Sequence, residues 1–217
     1  MVFRRLLLAI VSVVPVWCVR RYFYSLWFKY TFSNTGYVGV FCIVDCETAE
    51  VSGSIGHFNL ISCGVLDLSP DAMIGNYNHI SRLARLSLGA GASILHRNRI
   101  AGPKAGSRFG IPASTLILGA RAQLSSRFLV DVCAPVKVGC DTVIGGEGSQ
   151  IWTHAFDTDR QFTSGQVTIG DKCFLGSQVI ITHGVSIGSR VIVAPGSVVY
   201  KDLPNDTRWT TQALKTF

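Results

Sequence analysis

His154 stands in the stretch SQIWTHAFDTD, behind Trp152 and Thr153 and ahead of Asp157 and Asp159. An imidazole takes a proton from a hydroxyl near neutral pH, and a neighbouring carboxylate orients the ring and stabilises its protonated form. General-base chemistry is what this spacing offers, with Asp157 or else Asp159 as the orienting acid. The competing reading is a loop histidine held by structural bonds alone. His183, in the phrase HGV, reads equally well as an assisting group and as a surface turn residue. His57, His79 and His96 read as surface or turn residues. The seven cysteines form no CxxC pair, and the five histidines lie far apart, so no metal set is expected. No P-loop and no GxGxxG ahead of a helix is present.

These residues interrupt a six-residue period. Ile169, Leu175, Ile181, Ile187, Val193 and Val199 fall six apart without a slip. The next position is small: Gly170, Gly176, Thr182, Gly188, Ala194. A helix repeats at about 3.6 and a simple strand at 2. A period of six means a short strand and a turn, with one large side chain pointing inward per repeat. Backwards, the pattern reads Leu68, Ile74, Ile80, Leu88, Ile94, Ile100, Leu118, Leu124, Val132, Val138, Ile144 and Ile151, with short insertions. Long gaps fall at 101–117 and 152–168. Asn78 and Asn98 take equivalent places and are expected to stack as an inward ladder that satisfies corner backbone groups.

This pattern resembles the left-handed parallel β-helix of the hexapeptide acyltransferases, over about 65–204. The resemblance implies an all-β prism of about six coils, three hexads each, with both long loops leaving one corner. It also implies a homotrimer, in which isolated flat faces are joined. Trp152, Thr153 and His154 resemble the threonine-rich stretch ending in the catalytic histidine of maltose and galactoside acetyltransferases, shifted by one inserted residue. That implies His154 as the base that activates a sugar hydroxyl against a thioester, with Trp152 and His183 near the acceptor. VIVAPGSVVYKDLP resembles the family's closing signature. It implies an acetyl-CoA groove between subunits, lined by Gly176, Ser177 and Ala194, with Lys201 meeting a nucleotide phosphate. After Pro204 the chain departs from the family pattern.

Composition sets the frame. The chain has 217 residues, is 48% hydrophobic and only 15% charged, and has a mean hydropathy of +0.35. Disorder and a long charged coiled coil are thereby excluded. The formal charge is +7, but Arg4, Arg5, Arg20, Arg21 and Lys29 all precede the first acid, Asp45. That distribution argues against nucleic acid as the partner. The apolar run 6–19 is short for a spanning helix and contains Pro15. With the aromatic, basic RRYFYSLWFKYTF behind it, residues 3–32 read as an in-plane or re-entrant membrane anchor. A helix packed on the body is the alternative. The expected organisation is a membrane-associating segment (1–32), a β-helix domain (33–204) and a tail (205–217). The expected location is the cytoplasm, at the inner face of the membrane.

The function expected from this reading is acetyl-CoA-dependent O-acetylation of a sugar in a surface polysaccharide or lipid-linked glycan, by direct transfer and without a metal. N-acetylation of an amino or nucleotide sugar is the second reading, and a non-catalytic trimeric scaffold is the third.

Overall fold

Each hexad places one branched aliphatic inward, and a single coil cannot bury that residue unless another coil stacks on it. In the computed structural model, which describes residues 2–103 and 114–211, the chain does this by winding into a parallel β-solenoid. The first face is a sheet of nine parallel two-residue strands, from Tyr37–Val38 to Arg208–Trp209. Its inward residues run Val38, Ile55, Ile74, Ile94, Leu124, Ile144, Leu175 and Val193, all buried. The second and third faces join into one thirteen-stranded sheet, because Ile43–Val51, Leu60–Leu68 and His79–Leu88 run unbroken around the corner between them.

The solenoid has about eight turns rather than six. The extra coils lie at 37–65, where Val38, Val44, Val51, Ile55 and Ile61 point inward. Val130, not Val132, holds the inward place on the second face, paired with Ile100 and Ile151. The six-residue spacing therefore continues from Leu124 to Val130, and the two extra residues follow it. The asparagine ladder is longer than expected and starts at Asn59. Asn59 Oδ1 accepts from the Asn78 amide at 2.8 Å, Asn78 Oδ1 from the Asn98 amide at 2.9 Å, and Asn98 Oδ1 from the Phe128 amide at 2.8 Å.

Both long loops leave the corner after the second face, following Ile100 and Ile151. Of the first, residues 104–113 lie outside those described, and Thr115–Leu118 is already strand. The second is an antiparallel hairpin, His154–Phe156 with Phe162–Ser164. Nor does the solenoid stop at Pro204. Arg208–Trp209 pairs with Ile192–Val193, and Asn205 Oδ1 accepts from the Ser189 amide at 2.8 Å. Residues 212–217 of the expected tail lie outside those described.

The N-terminal segment is two twelve-residue helices, α1 (Val2–Val13) and α2 (Trp17–Phe28), separated around Pro15. No described helix is long and apolar enough to cross a membrane. One side of the pair packs on the first coil through Leu8, Val11, Tyr24 and Phe28. The cations turn toward the body. Arg4 and Arg5 both pair with Asp45, and Arg21 bonds the Phe32 carbonyl. Arg20 is fully buried and donates to the carbonyls of Val14 and Val38. The outward side carries Phe3, Leu6, Ile10 and Val13, all more than half exposed.

Candidate active site

Ile151 ends its rung pointing inward, and the next residues turn out at the insertion corner. Thr153 is buried there and fixes the turn. Its hydroxyl donates to Asp131 Oδ2 at 2.7 Å and accepts from the Ala134 amide at 3.0 Å. His154 then opens the hairpin. Its Nδ1 lies 2.8 Å from Asp131 Oδ2, one coil away. The acid that orients His154 is thus Asp131, which follows Val130, and not Asp157. Asp157 instead closes the hairpin turn, where its Oδ1 accepts from the amides of Asp159 and Gln161 at 2.9 and 2.7 Å.

Burial works against ionisation of Asp131. The hydrogen bonds from His154, Thr153 and Cys133 outweigh it and hold the carboxyl below its ordinary value. An ionised Asp131 keeps the proton of a neutral imidazole on Nδ1, so Nε2 is the nitrogen with the free lone pair. Cys133 Sγ donates to Asp131 Oδ1 at 3.2 Å. Burial first, and then Asp131, push that thiol up to about 12, so it stays protonated. Asp131, Cys133 and His154 bring one metal-ligating atom each within 4.8 Å of one another. The hydrogen bonds among them account for all three groups as a proton-holding network.

Aromatic rings surround the imidazole. Phe162 stacks on it with centroids 5.4 Å apart, while Phe156 and Trp152 present edge contacts at 5.9 and 6.2 Å. Trp152 is held by its indole N–H, which donates to Gln150 Oε1 at 2.8 Å. His183 sits at the same corner one coil on, and its backbone and that of Gly184 lie against Gly165 at the hairpin's base.

The residues expected to hold acetyl-CoA fall at two different corners. Gly176, Ser177 and Ala194 follow the first face, whereas Lys201 follows the second, as His154 does. Within one chain they do not converge. Stacking by itself already requires Gly176, because a Cβ there would lie 2.6 Å from the Pro195 nitrogen. Lys201 places its ammonium 5.0 Å from the centre of the Trp209 ring. The sequence reading missed Asp131, Cys133 and Phe162. The first two become visible once Val130 is given its inward place.

A stacked, three-faced parallel solenoid with aliphatics at six-residue spacing defines the hexapeptide-repeat class. Residues 166–201 match the family model described as bacterial transferase hexapeptide (six repeats). No curated protein matches the chain. Among solved structures, a hexapeptide-repeat-containing acetyltransferase of Vibrio cholerae O1 biovar eltor, complexed with acetyl coenzyme A, is 30% identical over 44% of this chain and 55% of its own, with a TM-score of 0.41. The chain thus spans about half the length of that protein. The polySia specific acetyltransferase NeuO is 20% identical over 81% and 79%, with a TM-score of 0.41. A maltose O-acetyltransferase from Clostridium difficile 630 is 14% identical over 95% and 78%, with a TM-score of 0.28.

Proposed function

We propose that the chain is an acetyl-CoA-dependent O-acetyltransferase acting on a sugar of a surface polysaccharide or lipid-linked glycan. The observation that carries the reading is the 2.8 Å contact between His154 and Asp131, set in aromatic rings at the insertion corner of a hexapeptide solenoid. His154 Nε2 takes the proton of the acceptor hydroxyl as the oxygen attacks the thioester carbonyl. The tetrahedral intermediate then collapses with cleavage of the C–S bond, the imidazolium returning the proton to the departing CoA thiolate. Asp131 is the positioning residue, and its charge stabilises the imidazolium that forms. Trp152, Phe156 and Phe162 offer apolar surfaces to the acceptor's ring carbons, with His183 beneath them.

Gly176, Ser177, Ala194 and Lys201 are assigned to the donor. Since they sit at two corners of one chain, a shared groove requires a second copy, and a homotrimer supplies one at each corner. The helical cap is assigned to the membrane surface, at the cytoplasmic face. Its adsorption rests on the apolar stripe of α1, because four of its five cations bond to the body.

The test is transfer of labelled acetyl from acetyl-CoA to polysaccharide and membrane-extract acceptors. Label is expected in a glycan fraction, alkali-labile as an ester, and absent with His154→Ala. Alkali-stable label would point to an amide. Saturable CoA binding with no transfer to any acceptor would leave the scaffold reading standing instead.

A further inference from the structure

Beneath the N-terminus of α1, against the second face, lies a cavity of about 370 Å³ lined in part by Arg5, Asp45, Leu60, Ser62, His79 and Arg82. A second lobe of about 420 Å³ shares Arg5, Asp45, Ser62 and Arg82 with it and adds Arg4 and Glu47. No residue of the Asp131–Cys133–His154 network lines either lobe, although the charge of Arg82 reaches Cys133. Two arginines line the cavity from unrelated elements. Arg5 comes from the helix, and Arg82 from the strand His79–Leu88.

The position of Arg82 has a specific cause. The pairing of His79–Leu88 with Leu60–Leu68 slips between Ile61 and Cys63, so the former carries one extra residue. Such a bulge re-aims a side chain. Arg82 has a φ of 60°, and Ser114 Oγ donates to its carbonyl at 3.1 Å. The Arg82 Nε is committed to the carbonyls of Gly102 and Pro103 at 3.0 and 3.2 Å. The Arg5 Nε is committed to Asp45 at 3.0 Å. Among the described residues each arginine bonds through Nε, which leaves its terminal nitrogens for a ligand. Arg4 is engaged with Asp45, Tyr30 and the Cys46 carbonyl. Three guanidiniums thus stand against the carboxylates of Asp45 and Glu47, and Ser62 and His79 add smaller polar groups.

We propose that this cavity binds a phosphate or diphosphate group. Planar guanidiniums held at one end and open at the other suit tetrahedral oxyanions, which they bind by paired N–H donors. The wall formed by Leu60 and Ile43 and the nearby apolar stripe of α1 suit an alkyl chain attached to that group. The cavity and the dyad share the second face. Ile80, Ile100, Val130 and Ile151 are successive rungs, so two to three strand spacings, roughly 10–14 Å along the axis, lie between Arg82 and the dyad. A glycan attached through phosphate can span that distance. The binding itself does not depend on acetyl transfer.

The test is calorimetric titration of the full-length protein with inorganic pyrophosphate, and co-sedimentation with phosphatidylcholine vesicles with and without phosphatidic acid. Saturable pyrophosphate binding is expected, weakened roughly tenfold or more in Arg82→Gln and in Arg5→Gln. Arg127→Gln, at another corner, is expected to bind normally. Arg82 also holds backbone carbonyls, so Arg5→Gln, on a half-exposed side chain, guards against a folding artefact. Phosphatidic-acid-dependent sedimentation displaced by pyrophosphate identifies a lipid source. Pyrophosphate binding without that dependence identifies a soluble phosphorylated ligand. Absence of saturable binding, or binding that survives both substitutions, overturns the proposal. His154→Ala is expected to leave it unchanged, which separates its failure from failure of the acetyltransferase reading.

Discussion

Asp131 Oδ2 and His154 Nδ1 lie 2.8 Å apart although 23 residues separate them in the chain. The contact exists because Val130 and Ile151 are neighbours in the sheet, so the residues that follow them turn out at the same corner. The carboxylate is already held by Thr153 and Cys133, and it presents a fixed acceptor to the imidazole. The relationship sets the first expectations.

Replacing His154 by alanine is expected to cut turnover by roughly 10²–10⁴, the contribution of a positioned general base. The side chain is 24% exposed and lies at a different corner from Gly176, Ser177 and Ala194 of its own chain, so CoA affinity should hardly change. Loss of the hydrogen bond to Asp131 should lower the melting temperature only modestly. Turnover within a few-fold of the parent would remove the proposed base.

Asp131→Asn preserves shape and removes charge. We expect turnover to fall roughly 10²-fold or more with little change in acceptor KM, because the charge acts when the imidazolium forms. Asp157→Asn should leave turnover near the parent value. A steep loss in the latter would restore Asp157 to the site.

The depressed carboxyl of Asp131 has a consequence for stability. A group whose folded value lies below its unfolded value of 3.8 contributes stability that is present above that pH. The contribution is lost as the pH falls through the depressed folded value. Melting temperature should therefore drop more steeply for the parent than for Asp131→Asn in the acid range below 3.8. Parallel curves for the two proteins would contradict this.

Asn78→Ala breaks the ladder at its middle. The Asn98 amide and the Leu95 carbonyl, partners at 2.9 and 2.8 Å, lose their bonds in a buried corner. Destabilisation of about 3 kcal/mol is expected, read from denaturant unfolding, since each unsatisfied buried group costs about 1–3 kcal/mol.

Ile10→Glu alters the outward stripe of α1 without touching the buried side of the cap, since Ile10 is 53% exposed. Vesicle co-sedimentation should fall, while turnover on a water-soluble acceptor should persist. Unchanged sedimentation in high salt would argue that the stripe does not meet lipid.

The sequence made the C-terminal coils easy to read, because Ile169 to Val199 repeat without a slip. The first coils were harder. There Cys42, Cys46 and Cys63 are among the buried residues, and strands such as Ile43–Val51 run past the hexad boundary. Assigning Val132 rather than Val130 displaced one coil by two residues and hid Asp131. Both valines are buried, so hydrophobicity alone does not separate them. Only the pairing with Ile100 and Ile151 does. The cations of the cap look like lipid anchors in sequence. Arg20 shows otherwise, since its guanidinium binds carbonyls inside the protein, a role that depends on the fold around it.

The corner after the second face takes both long insertions as well as the one-residue bulge at Arg82. The rungs on either side are pinned by neighbouring coils, so the ends of each insertion are already at closing distance. The entropy of closing a flexible loop grows only with the logarithm of its length, and doubling the length costs about 0.6 kcal/mol. The segments inserted at this corner can therefore lengthen, shorten or be exchanged at small cost in folding free energy. Replacement of such a loop need not disturb the inward register of a single aliphatic residue.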